Sequence, residues 1–214
     1  MFPKVKICCI SSLAEAKMAI EHGASALGLV AKMPSGPGPI SDELIQEIAA
    51  SVPPPIASFL LTSRTNAADI AAHQQVVGTN TVQIVDALSE GTYADLRIAL
   101  PGISIVQVIH VTDERSVEDA LEIAPQVDAL LLDSGNPNLA VKELGGTGRV
   151  HNWALSRQIV EQAAKPVFLA GGLKAENVRA AMDEVQPWGL DLCSSVRTNG
   201  SLDLVKLEVF FKAV

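Results

Sequence analysis

Aromatic residues make up only 4% of this 214-residue chain, so its core must be built from aliphatic side chains, within a hydrophobic share of 48%. Cysteine is scarce too. Cys8, Cys9 and Cys193 are an odd number with no CxxC spacing, which indicates neither a disulfide framework nor a zinc site. A basic excess is missing: the net charge is -8, which excludes a general nucleic-acid surface. Small anionic ligands stay compatible with that charge, because local backbone amides can hold a phosphate. No apolar run reaches the roughly 18 residues of a membrane span. Lys4 and Lys6 interrupt the start, and no long apolar stretch follows as in a signal peptide. The expectation is a folded, reduced, cytoplasmic protein with no membrane or nucleic-acid partner.

What is present is an alternation. KVKICCI reads as a short strand and LAEAKMAIEHG as a helix, with Leu13, Ala16, Ala19 and Ile20 at helical spacing and Gly23 as a stop. ALGLVA, PIASFLLT, TVQIV, SIVQVIHV, VDALLLD, PVFLAGG and GLDLC read as further strands. The helices expected between them include one starting at Ser41 or Asp42, TNAADIAAH, LSEGTYADLRIAL, SVEDALEIA, NWALSRQIVEQAA and KAENVRAAMDEV. An amphipathic helix, SLDLVKLEVFFKAV, closes the chain. Eight strand–helix units at this length suit a (β/α)₈ TIM barrel forming one domain over residues 1–214. An open doubly wound sheet would use fewer strands. The long connection from Ser134 to about His151 has the length of a functional lid.

In such a barrel, chemistry sits at the carboxyl ends of the strands. Gly171 and Gly172 after strand 7, with Ser194 and Ser195 in the CSSV turn after strand 8, can offer free amides to a phosphate. Tight turns alone would explain the same glycines. Asp133 ends an apolar strand, where lost hydration suits a proton donor, although a loop carboxylate fits the local sequence equally. Strand alternation puts Cys8 on the face of Lys6 and Cys9 on the face of Ile7. Only one cysteine is then expected at the barrel mouth. His110 ends strand 5, where it can contact a ligand or cap its strand.

The segments KICCIS, HGASALGLV, LPGISIVQVIHV, DALLLDS, GGTGRVHNW, LAGGLKAENV and GLDLCSSV occur in that order along nearly the full chain. Together they resemble the phosphoribosylanthranilate isomerase family. The resemblance implies a (β/α)₈ barrel and an Amadori rearrangement in tryptophan biosynthesis, without cofactor or metal. It places the general base on Cys8, which leaves Cys9 to pack outward against the helices, the general acid on Asp133, and the phosphate on the turns around Gly171, Gly172, Ser194 and Ser195. The implied partner is a small phosphorylated sugar, and the chain is read as a monomer or homodimer.

Several rim positions depart from the family pattern. Gly38 stands where the family has an arginine facing the anthranilate carboxylate. Val85 and Asp86 replace the histidine and glycine of QLHG, and Asp86 adds an anion that would repel the substrate. Ser195 and Cys9 replace glycines. Lys6, Arg64, His110 and Arg149 are the further candidates for substrate contact, with Arg64 or Arg149 substituting for the lost arginine. The alternative is a paralogous isomerase, or a non-catalytic binding barrel, for another phosphorylated sugar. Related isomerases with a carboxylate after strand 1, and indole-forming synthases with an early catalytic lysine, fit less well, because Cys8 occupies the first position and Lys6 suits the second role poorly.

Overall fold

The computed structural model describes residues 3–135 and 151–214. Arg149, the GGTG run and nearly all of the expected lid lie outside the described residues. Within them, strand and helix alternate: β1 (Lys4–Ile7), α1 (Leu13–Glu21), β2 (Ala26–Val30), α2 (Asp42–Ser51), β3 (Ala57–Thr62), α3 (Ala67–Val77), β4 (Thr81–Ile84), α4 (Tyr93–Ala99), β5 (Ser104–His110), α5 (Arg115–Ile123) and β6 (Ala129–Asp133). After the undescribed segment come α6 (Trp153–Gln162), β7 (Val167–Leu169), α7 (Val178–Val185), β8 (Gly189–Leu192) and α8 (Leu204–Ala213). The strands pair in sequence order, all parallel, and β8 returns to β1 with Ile7 opposite Leu192. The result is a closed (β/α)₈ barrel.

Period-two alternation explains the closure. Val5, Ile7, Leu130, Leu132, Leu190 and Leu192 point outward into the layer beneath the helices. Val30, Leu61, Val108, Leu131 and Ala170 point inward. Both strand faces are therefore apolar and both are covered, the usual condition of parallel strands. The low aromatic content is spent at one end of the interior. Phe59 and Phe168 meet edge to face at 5.9 Å, and Phe168 meets Trp188 at 5.1 Å. Gly189 makes room for this stack, since a Cβ there would stand 2.6 Å from the Phe168 ring.

The helices begin where short polar side chains take their first free amides. Ser12, Ser41, Asn66, Asn152 and Asp203 each accept from the first turn, worth about 1 kcal/mol apiece. Two expected helices start later than their apolar spacing suggests. In LSEGTYADLRIAL, Gly91 is left-handed (φ +76°), and Thr92 with Asp95 forms a reciprocal capping box that starts α4 at Tyr93. In KAENV, Asn177 accepts from Lys174 N and donates to Gly172 O, so those residues form a turn and α7 starts at Val178. Ser201–Leu202 belongs to a short hairpin with Arg197–Thr198 instead of the last helix.

Candidate active site

A cavity opens inside the carboxyl ends of the strands. Its wall includes Cys8, Cys9, Asp133, Gly171, Gly172, Asp191, Cys193, Ser194 and Ser195. The sequence-predicted base, acid and phosphate turns are thus brought together from β1, β6, β7 and β8.

Asp133 is 7% exposed at the end of β6, its Oδ1 accepting from the Ser134 amide at 2.8 Å. Burial is the largest influence on it and raises its pKa above the ordinary carboxylate range, against the pull of that amide, His110 and Lys6. Cys8 moves the other way. The neighbouring Cys9 thiol lowers its pKa most, and the Lys6 ammonium adds to this, against the cost of burial. Gly28 of β2 makes the arrangement possible, because a Cβ there would stand 2.8 Å from Cys8 Sγ and 3.1 Å from Lys6 Nζ.

Cys9 does not pack outward as strand alternation predicts. β1 ends at Ile7, and Cys9 is left-handed with φ +61°, which turns its side chain into the barrel with that of Cys8. Alternation holds only while the backbone stays extended. The Cys9 thiol lies 3.6 Å from Pro37 O and in direct contact with the Cys193 thiol. Its pKa is pushed up by the bonds to Cys193 and Cys8 and by burial.

The turned-in thiol also accounts for Gly38. A Cβ on Gly38 would meet Cys9 Cβ at 2.6 Å and Cys9 Sγ at 2.9 Å, at a φ of +90°. The two departures from the family pattern are therefore one steric exchange: a side chain at position 9 fills the space of a side chain at position 38. Gly38→Ala alone is expected to lower stability by roughly 1–3 kcal/mol. In a Cys9→Gly background the same change should cost clearly less. Urea unfolding of the four proteins in this double-mutant cycle gives the coupling.

Lys6 is fully buried below the cavity and pairs with Asp191 Oδ1 at 2.9 Å, with its ammonium 5.3 Å from the Phe59 ring centre. Burial opposes its charge, but Asp191 and the two cysteines outweigh burial, so its pKa lies above the ordinary range. The Asp191 pKa is raised, first by burial and in part by Asp133, with Lys6 opposing. Lys6 therefore supports the site from beneath and is absent from the cavity wall. Asp191 is a residue that the sequence reading missed. Its signal was its inward place in GLDL, opposite Lys6 in the β1–β8 register. Gln83 was missed as well: it lines the cavity from β4, and its buried Oε1 has no hydrogen-bond partner among the described residues.

A second missed residue set holds the backbone of the cysteine pair. Arg197 donates to the carbonyl oxygens of Cys8 and Cys9 and to both carboxylate oxygens of Glu15. Glu15 accepts in turn from the Ser11 and Leu202 amides. Although burial raises the Glu15 pKa, these donors together hold it below the ordinary value. The two residues are 182 positions apart, so no local pattern announces them.

The turns after β7 and β8 that the sequence offers for a phosphate are both tight. Gly171 and Gly172 are left-handed, with φ +80° and +64°, a conformation glycine adopts without strain. Asn177 pins the Gly172 carbonyl at 3.0 Å. Ser194–Val196 forms a short 3-10 turn, and Ser195 Oγ is buried without a hydrogen-bond partner among the described residues. Ser195 thus adds a hydroxyl where the family pattern has only backbone.

Other candidates lie elsewhere. Arg64 is exposed and away from the cavity wall. His110 Nε2 donates to Val85 O at 2.9 Å, which favours the strand-capping reading, and it faces a neighbouring concavity over β5. Asp86 borders that concavity too, with Val85 beside it on the cavity wall.

Comparison with known proteins agrees with this geometry. The family model for N-(5′-phosphoribosyl)anthranilate (PRA) isomerase matches residues 5–213. The N-(5′-phosphoribosyl)anthranilate isomerase 2 of Methanosarcina mazei is 34% identical over 97% of this chain and 92% of its own. The crystal structure of phosphoribosyl anthranilate isomerase from Thermotoga maritima is 29% identical, with a TM-score of 0.82 over 99% of this chain and 98% of that one. A phosphoribosyl anthranilate isomerase solved with reduced 1-(o-carboxyphenylamino)-1-deoxyribulose 5-phosphate is 27% identical, with a TM-score of 0.79 over the same shares. Motif order, closed barrel, cavity wall and full-length matches coincide: the chain belongs to the N-(5′-phosphoribosyl)anthranilate isomerase family.

Proposed function

We propose that this chain carries out the isomerisation for which its family is named, in tryptophan biosynthesis, with Cys8 as general base and Asp133 as general acid. The observation that carries the roles is the pairing of a thiol with lowered pKa and a carboxyl with raised pKa on one cavity wall. Those are the directions that proton removal and proton donation need near neutral pH.

The steps follow from that pair. Asp133 protonates the furanose ring oxygen, and the ring opens to an imine. The Cys8 thiolate takes the C2′ proton, giving an enolamine that tautomerises to the ketone. All of these are proton transfers within one substrate. The phosphate is received by the amides of the Gly171–Gly172 turn and of the 3-10 turn at Ser194–Ser195, and the Ser195 hydroxyl is free to donate to it. Lys6 keeps its charge near Cys8 and Asp191 without reaching the substrate.

The partner implied is a phosphorylated ribosyl compound. Among the described residues no helix is long and apolar enough to cross a membrane. Leu204, Val205 and Val209 leave apolar surface on α8, which suits a homodimer contact, and a monomer remains the other arm of that reading.

The test is a fluorescence assay. Phosphoribosylanthranilate is generated in situ and the loss of its fluorescence followed on adding the purified protein. Turnover is the expected result. A folded protein that leaves the signal unchanged refutes the proposal and favours the paralogue with another phosphorylated sugar.

A further inference from the structure

We infer that Cys9 and Cys193 form an oxidisable dithiol at the barrel mouth, a modification site for hydrogen peroxide whose disulfide form withdraws Cys9 from Cys8. The effect on turnover rests on the function proposed above, whereas the covalent step does not.

The geometry brings the two thiols together for structural reasons. β1 and β8 are neighbours with Ile7 opposite Leu192, and Cys8 N donates to Leu192 O at 2.7 Å, so the strand ends stay in step. The left-handed turn at Cys9 swings its thiol off the strand and toward β8. Arg197, four residues beyond Cys193, clamps the Cys9 carbonyl and keeps that turn fixed. The sulfurs are free thiols in direct contact, so a disulfide bond of about 2.05 Å can close between them. Both line the cavity, and Cys193 is half-buried, so a small oxidant reaches the pair from the mouth.

The chemistry balances. One thiolate attacks a peroxide oxygen: an S–O bond forms, the O–O bond breaks, and hydroxide leaves to become water. The second thiol attacks the sulfenic sulfur: the S–S bond forms, the S–O bond breaks, and a second water leaves. Two thiols are oxidised by two electrons and one peroxide is reduced. A dithiol such as dithiothreitol reverses the product by exchange.

The consequence falls on Cys8. In the reduced protein the neighbouring Cys9 thiol is the largest influence lowering the Cys8 pKa, and both side chains turn into the barrel beside each other. A Cys9 sulfur bonded to Cys193 carries no proton to donate. Hydrogen bonds to charged groups are strong enough that losing such a donor should lower kcat/KM about tenfold or more at neutral pH.

The experiment treats the full chain with hydrogen peroxide, blocks remaining thiols, digests with trypsin and weighs the peptides. The expected product joins peptide 7–17 to peptide 180–197 and disappears on reduction. It should persist in Cys8→Ser and vanish in Cys9→Ser. In parallel, the ratio of kcat/KM with and without peroxide should fall about tenfold in the unsubstituted chain, recover with dithiothreitol, and stay near one in Cys193→Ser. Absence of the joined peptide from the unsubstituted chain, or its survival in Cys9→Ser, overturns the site. Equal peroxide sensitivity in Cys193→Ser overturns the effect on Cys8 and points to direct oxidation of that thiol. Should the chain show no isomerase activity, the joined peptide still decides the site by itself.

Discussion

Cys8→Ala is expected to lower kcat/KM by about 10²–10⁴-fold, the range for loss of a positioned general base, and Asp133→Asn by a similar factor for loss of the acid. Both side chains line one cavity, and neither replacement removes the turns around Gly171 and Ser195. Calorimetry with reduced 1-(o-carboxyphenylamino)-1-deoxyribulose 5-phosphate, the ligand of the related structure, should therefore show binding retained within a few-fold. Full turnover in either variant removes that residue from its role. The double variant should cost little more than the worse single one, because groups acting in one proton relay are not additive.

The pH profile carries the sign of the two shifts. Turnover needs Cys8 deprotonated and Asp133 protonated. A lowered Cys8 pKa and a raised Asp133 pKa bring the two limbs toward each other and enlarge the population with both groups correct. The kcat/KM profile should be bell-shaped. In Cys9→Ala the Cys8 limb is expected to move to higher pH, because a methyl group replaces the thiol that lowers the Cys8 pKa. An unmoved limb would show that Cys9 does not tune the base.

Lys6→Met should destabilise the chain by roughly 3–5 kcal/mol, the penalty for stranding a buried charge. Lys6 is fully buried and Asp191 is 9% exposed, so water does not replace the lost ammonium. Asp191 escapes part of the penalty by taking a proton, which fixes the pH dependence. Its pKa in the folded chain already lies above the ordinary value, and removing Lys6 raises it further. The folded state then prefers the protonated carboxyl. The deficit relative to the unsubstituted chain should be small below that chain's own raised Asp191 pKa, grow as pH rises past it, and level off above the still higher value in the variant. Urea unfolding at acid and neutral pH measures this. Lys6→Met with Asp191→Leu should recover most of the loss, because replacing both members of a buried pair is often near neutral. No recovery would mean that the ammonium holds the fold through something other than Asp191.

Much of this protein was legible in one dimension. Alternating apolar strands and capped helices specify the barrel, because parallel strands buried on both faces must read as short aliphatic runs. Asp133 and the paired glycines were legible for a related reason, since the carboxyl ends of barrel strands are where polar residues interrupt those runs. Cys8 was singled out by the family resemblance of KICCIS, since alternation alone put the two cysteines on opposite faces without saying which faces the mouth.

What the sequence left open depends on residues far apart in the chain meeting at one place. Cys9 was assigned to the wrong face because alternation assumes an extended backbone, and only the folded turn shows φ +61°. Arg197 and Glu15 clamp the cysteine backbone across 182 positions, and Gly38 is explained only by the Cys9 side chain beside it. Local propensity therefore determined the elements and their order. Tertiary packing decided which side chains share the cavity, because contact across a closed barrel follows strand register and backbone turns, which no short stretch of sequence encodes.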